Sequence, residues 1–254
     1  MFNFLKKFRS QQDVYEVAES NAELKLSVRE RALLVFSNIE GLDDIKEMML
    51  RALESPERAH TLLTGPPASA KSLFAQEIEK LMKDKVYYAN GDSTTKAGIQ
   101  KYIAENQGKE IIIMDEIDKM KKQDQEGLLN MMERGQFTIT KVSNTKKVKA
   151  DVVLFATSNS VERLSKPLLS RFNTLEIPEY SYPEFEAISV RICKKLPQNI
   201  AIQIASSVWQ NGSKDVRDCL KILKLSNAQD TPEDINRLIS IYKKHLKTGS
   251  REYN

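Results

Sequence analysis

The sequence predicts a layered α/β domain followed by a smaller all-helical region. Short apolar strand segments alternate with helical stretches up to about residue 180, and a loop opened by glycine joins one such strand to a helix. From Pro183 onward the strand signals stop and only helical periodicity remains. These observations divide the chain into an N-terminal segment (1–26), an α/β domain with a parallel sheet flanked by helices (27–180) and a helical domain (181–254).

In chain order, Ser27 followed by Glu30 forms a capping box for a helix through about Phe36. Ile45, Met48, Met49, Ala52 and Leu53 share one face of the next helix. "HTLLT" (60–64) reads as a short strand, and the helix after Lys71 runs to about Met82, with Leu73, Phe74 and Ile78 expected in the core. "VYYA" (86–89), "IIIM" (111–114), "VVLFA" (152–156) and "TLEI" (174–177) are further strands, the apolar ones expected to be buried on both faces. Residues 136–150 alternate as two strands around a Ser143–Asn144–Thr145 turn. Helical stretches near 184–195, 198–209, 215–227 and 232–247 make up the second domain.

Composition narrows the function classes. At 254 residues, with 41% hydrophobic and 29% charged side chains, the chain can build a core and is not of the disordered type. A net charge of +4 is too mild to imply a polyanion partner by itself. Cys193 and Cys219 cannot form a disulfide framework, and His60 and His245 give no zinc spacing, so a reducing, cytoplasmic setting is expected. No apolar run approaches a membrane span, and no membrane partner is expected. In the first residues, Phe2, Phe4, Leu5 and Phe8 are interspersed with Lys6, Lys7 and Arg9. This pattern suits either a terminus packed on its own domain or one docked on a partner surface.

The chemistry concentrates in two segments. "GPPASAKS" (65–72) follows a strand and opens a helix, where backbone N–H groups and the helix dipole favour phosphate. Gly65, Lys71 and Ser72 fit the phosphate-loop pattern, but alanine stands at 68 and 70, where such loops usually carry glycine. Lys71 is expected to reach the β- and γ-phosphates and Ser72 to ligate magnesium. An alanine held at positive φ costs about 1 kcal/mol or more, little beside nucleotide binding, so changing Ala70 to glycine is expected to alter turnover only modestly. The second segment, "IIIMDEID" (111–118), is a buried strand ending in Asp115 and Glu116. There an aspartate can hold the magnesium and a glutamate can polarise the attacking water.

These segments and their order resemble the AAA+ ATPases, with "GPPASAKS" as Walker A and "IIIMDEID" as Walker B. The resemblance spans about residues 27 to 247 and implies ATP and magnesium as cofactors. It implies an adenine side at "IEGLDDIK" (39–46), through the backbone around Ile39 and Gly41, and a nucleotide loop of Gly65, Pro66, Pro67, Ala68, Ser69, Ala70, Lys71, Ser72 and Leu73. "FATSN" (155–159) is similar to sensor 1, with Asn159 beside the γ-phosphate; "PLLSRF" (167–172) is similar to the arginine-finger segment, with Arg171 acting on a neighbour's nucleotide. "GSKDVRDCLKIL" (212–223) is similar to the start of sensor 2, with Arg217 as its arginine.

Within the family, "TTKAGI" (94–99) and "MMERGQFTITK" (131–141) resemble the RuvB, MoxR and MCM branch, which carries an extra hairpin before sensor 1. Here that hairpin bears Lys141, Lys146, Lys147 and Lys149 without an acidic residue, a pattern that suits either phosphate contacts or a solvated edge protected from aggregation. The resemblance implies a homo-oligomeric ring, expected to be a hexamer, and three expected roles: a RuvB-like motor on DNA, a MoxR-like protein remodeller, and a nucleotide-gated scaffold of low turnover. RuvB proteins carry a winged-helix domain after the lid, for which a chain ending at Asn254 leaves no room; the expectation is therefore an ATPase without a settled Holliday-junction role.

Overall fold

The computed structural model describes residues 26–106, 110–141, 144–226 and 231–245. The expectation for the aromatic and basic first residues lies outside them. The described residues divide into two compact units, one comprising those up to Pro66 with Ala70–Pro178, the other Pro67–Ser69 with those from Glu179 onward.

The first unit opens with α1 (Val28–Val35), capped reciprocally by Ser27 and Glu30, and α2 (Asp43–Glu54). It continues with β1 (Thr61–Thr64), α3 (Lys71–Met82), β2 (Val86–Asn90), α4 (Lys96–Glu105), β3 (Ile111–Asp115) and α5 (Lys122–Arg134). The hairpin β4 (Gln136–Lys141) and β5 (Asn144–Lys149) follows, then β6 (Val153–Ser158), the single turn α6 (Lys166–Leu169) and β7 (Asn173–Glu176). The five-stranded sheet has the order β2-β3-β6-β1-β7 and every pairing in it is parallel. β1 is buried throughout, as is β3 up to its final aspartate, because helices cover both faces of such a sheet. One apolar cluster on its faces gathers Leu62, Ile112, Met114 and Leu154; another gathers Leu63, Phe74, Ile113 and Phe155. Successive residues of one strand thus serve opposite layers.

Three expectations are corrected. Leu73 is 43% exposed. The buried stripe of α3 is Lys71, Phe74, Ala75, Ile78 and Met82, a helical repeat that turns position 73 outward. On α2 the stripe is Lys46, Met49, Leu50 and Leu53, which leaves Met48 exposed. In the hairpin Lys141 pairs with Asn144 and Thr140 with Thr145, so Asn144 and Thr145 belong to β5 rather than to a turn. Residues 142 and 143 lie outside the described ones.

The second unit contains α7 (Tyr182–Ile192), α8 (Gln198–Gln210), α9 (Val216–Leu225) and α10 (Pro232–His245). Phe185, Ile204, Ile222 and Ile235 meet in its core, with Cys193 and Cys219 buried as free thiols. The expected helix ends at 227 and 246–247 fall outside the described residues. Among the described residues no helix is long and apolar enough to cross a membrane.

His60 completes the sheet next to β1. Its Nδ1 accepts the Leu154 N–H at 3.0 Å, and its ring meets Phe172 edge-on. Burial, reinforced by the Arg58 charge, pushes the imidazole down to about 4, against a hydrogen bond to the Met132 backbone. An unfolded histidine takes its proton near 6.5, so between these values the unfolded chain binds more protons than the folded one. This contribution is present in full above pH 6.5 and is lost as the pH falls through that window towards 4. Urea unfolding across pH 4–7 should show a shallower acid loss of stability in His60→Gln than in wild type. A pH-independent difference between the two would mean that His60 is not held neutral.

Candidate nucleotide site

The site is built where β1 and β3 end. Gly65 follows β1 with φ +147°, and a Cβ there would stand 2.3 Å from the Ile177 carbonyl oxygen, so only glycine fits. Ile177 N–H donates to Thr64 O at 2.7 Å, tying the loop's entry to the end of β7. The two alanines differ in kind. Ala68 has φ +63°, a left-handed conformation that a Cβ disfavours. Ala70 has φ −68°, is buried, and its carbonyl accepts the Leu73 and Phe74 N–H groups at the start of α3. Position 70 therefore loses nothing by being alanine.

Lys71 is buried and its Nζ donates to the Gly65 and Pro66 carbonyls at 2.8 and 2.6 Å. Ser72 presents its hydroxyl 3.5 Å from Asp115 Oδ1. Two hard oxygen donors at the foot of a loop holding an ammonium group form the donor set that magnesium and a phosphate chain require, so these residues fit both groups. The turn containing Ile39 and Gly41 lies on the same side of the sheet: Ile39 is buried in one cluster with Ala70 and Phe74, and Phe36 packs on Phe74 with ring centroids 5.2 Å apart. Gly41 takes φ +59° there.

Asp115 is held from two sides by residues absent from the expected set. Thr157 Oγ1 makes a short hydrogen bond to Asp115 Oδ1, and Tyr88 Oη donates to Oδ2 at 2.9 Å. Burial and the Asp115 charge push the Tyr88 phenol well above its usual range, so it remains a donor. The next residue, Glu116, adopts φ +53° and ψ +48°, with its N–H donated to Thr157 Oγ1 at 2.9 Å. Gly91 makes room for this bend, since a Cβ on it would lie 2.2 Å from the Glu116 carbonyl oxygen. The Glu116 carboxylate accepts from Lys119 Nζ at 2.7 Å, which raises the Lys119 pKa. Thr157 and Tyr88 leave a faint trace in the sequence, as polar groups within otherwise apolar strands.

Asn159, just past β6, is exposed and its N–H lies 3.4 Å from Asp118 Oδ1. Arg171 follows α6 in the same unit and pairs through Nε, at 3.1 Å, and Nη2 with Glu133 Oε1. In the second unit Arg217 pairs with the N-capping Asp215, Nε to Oδ1 at 2.9 Å and Nη2 to Oδ2 at 2.8 Å. On the hairpin, Phe137 and Val148 are a buried cross-strand pair. Lys147 and Lys149 alternate with Val148 and are exposed, and Lys149 lies 3.4 Å from Asp151. The pleat assigns positions 146 and 147 to opposite faces, and the side chains of Lys141 and Lys146 lie outside the described residues.

The loop backbone yields a test of opposite signs. Ala68→Gly should raise the stability of the chain by about 0.5–1 kcal/mol through relief of the left-handed strain. Ala70→Gly should lower it by about 1 kcal/mol, because it adds freedom to the unfolded chain and removes a buried methyl group. Equal shifts in urea midpoint for both variants would contradict the conformational difference between the two positions.

Residues 61–179 match the family model of AAA, the ATPase family associated with various cellular activities. The chain is 27% identical over 175 residues to the Holliday junction branch migration complex subunit RuvB of Mycoplasmopsis pulmonis, covering 63% of this chain and 55% of that protein. It is 24% identical over 249 residues to the DNA replication licensing factor Mcm2 of Drosophila melanogaster, covering 82% of this chain and 27% of Mcm2. It therefore spans about half of the one relative and about a quarter of the other. The solved structure of the Thermotoga maritima RuvB Holliday junction branch migration motor superposes with a TM-score of 0.62 at 19% identity, over 80% of this chain and 70% of that one; at this identity the likeness concerns the fold. Residues 61–179 thus match the AAA family, and the chain resembles RuvB and Mcm2 over part of their lengths.

Proposed function

We propose that the chain is a magnesium-dependent ATPase that works as an oligomeric ring on DNA. The observation that carries the engine is the convergence of Lys71, Ser72 and Asp115 where β1 and β3 end. Lys71 exchanges its loop carbonyls for phosphate oxygens, while Ser72 and the doubly anchored Asp115 hold the metal. Magnesium bound there neutralises charge on the phosphates. Glu116, beside Asp115, polarises the attacking water, and Asn159 helps to place it. Arg171 serves the nucleotide of a neighbouring subunit, Arg217 acts as the lid arginine, and the backbone at Ile39 and Gly41 faces the base.

DNA as the substrate is supported by the kind of relative, since the matched proteins are named for branch migration and DNA replication. The lysines of β4 and β5 supply charge suited to phosphates. A hexamer is the assembly expected from the resemblance, and the cytoplasm is the setting that the cysteine usage suits.

Lys71→Ala should weaken ATP binding, and Glu116→Gln should bind ATP and leave it unhydrolysed. Equal hydrolysis by wild type and Glu116→Gln would remove the water-activating role. Arg171→Ala should lose most turnover, within the roughly 10³- to 10⁵-fold range known for arginine fingers, while still binding ATP. Wild-type specific activity should fall on dilution as subunits separate; full activity in the dilute monomer would rule out the shared site.

Replacing Lys141, Lys146, Lys147 and Lys149 together by alanine should weaken DNA binding and flatten its salt dependence, with ATP affinity little changed. An unchanged affinity and salt slope would remove the hairpin as the contact surface. Turnover stimulated by a protein and indifferent to DNA would point to protein remodelling by the same engine.

A further inference from the structure

We infer that Glu133 is a positioning residue for Arg171, and that α5 holds the finger segment at two points so that the guanidinium is presented in one orientation. This rests on the reading of Arg171 as the residue that completes a neighbour's site.

The backbone of the finger is anchored first. Leu168 and Phe172, on either side of Arg171, are buried in the main core cluster. Arg171 N–H donates to Leu168 O at 3.1 Å, and Asn173 N–H starts β7 by donating to His60 O at 2.8 Å. The side chain between these anchors is half exposed and would sample many rotamers if nothing held it.

Glu133 supplies the restraint. Its Oε1 accepts from both Nε and Nη2 of Arg171, which engages one edge of the guanidinium fork. Nη1 has no partner among the described residues and remains available to a phosphate oxygen. A contact that used the whole fork would sequester the finger; one that takes a single edge aims it. Glu133 also sits where a carboxylate is otherwise unfavourable, one residue before the end of α5, where the helix dipole is negative. The Arg171 charge offsets that cost.

The second point of attachment is at the other end of the same helix. Gln125 is fully buried; its amide nitrogen donates to Met120 O and Arg163 O at 3.1 Å, and its oxygen accepts the Ser165 N–H at 2.9 Å. Ser165 is the residue from which α6 starts. A helix that grips the finger segment through Gln125 and the finger itself through Glu133 makes the two move together.

The test is a double-mutant cycle on the full chain, in single-turnover assays with enzyme in excess over radiolabelled ATP, which resolve slow rates. Glu133→Ala should lower the hydrolysis rate roughly 10- to 100-fold, the scale on which misplacement of a reacting group acts, with ATP affinity within about 2-fold of wild type. Glu133→Gln, which keeps the shape and loses the charge, should lower it less and guards against misfolding as the cause. In an Arg171→Ala background neither change should slow the reaction further, because the group being positioned is gone. The same loss in both backgrounds would show Glu133 to be merely structural and would overturn the inference. So would an unchanged rate, or a faster one, which would make the pair a restraint. If Arg171→Ala alone hydrolyses ATP at the wild-type rate, the shared-site reading fails and the inference falls with it.

Discussion

Parallel pairing of β3, β6 and β1 is the constraint on which the rest of the site depends. Met114 stands opposite Ala156 and Thr64 opposite Ser158, so all three strands end along one edge of the sheet. Lys71, Ser72, Asp115, Glu116 and Asn159 leave from that edge or from the start of α3 beside it. A one-residue slip of β6 would send Thr157 to the opposite face, and both Asp115 and the Glu116 amide would lose their shared partner. The apolar residues that alternate along β3 and β6 hold the register, since a slip would also drive Leu154 and Phe155 into the wrong layers. The site is accurate because the core is.

Backbone strain gathers at the same edge. Among the described residues four non-glycine positions have positive φ, and two of them, Ala68 and Glu116, lie in the phosphate loop and beside Asp115. Each costs on the order of 1–2 kcal/mol, which the surroundings must offset. At Glu116 the offset is visible, in the amide bond to Thr157 and in the space left by Gly91. At Ala68 the loop carries the cost that a glycine would avoid.

One helix connects the parts of the first unit that the proposed function uses. α5 begins after the Asp115–Glu116 segment, packs Leu128 and Met131 into the core, and ends at Gly135, directly before the hairpin. Gly135 at φ +59° stops the helix, and its carbonyl accepts the Ala150 N–H at 2.8 Å, closing the root of the hairpin. The segment after Asp115, the lysine-bearing strands and the arginine pair therefore adjoin one helix.

The sequence by itself determined the strands, the loop and the two carboxylates. Buried parallel strands are short apolar runs bounded by polar residues, and a strand–loop–helix unit carrying glycine and lysine at fixed spacing is a local feature. The capping box at Ser27 and the four helices of the second unit were legible for the same reason. Where the reading failed, it lacked a partner: nothing near Leu73 or Met48 in the chain says which side of the helix faces the sheet. Only the tertiary structure decided that Ala68 bears the strain while Ala70 does not, since φ is set by where the loop's two ends are held. It alone brought Tyr88, Thr157 and Glu133 to their partners, across 27, 42 and 38 residues of chain. Those meetings follow from strand order and helix packing, and no local pattern encodes them.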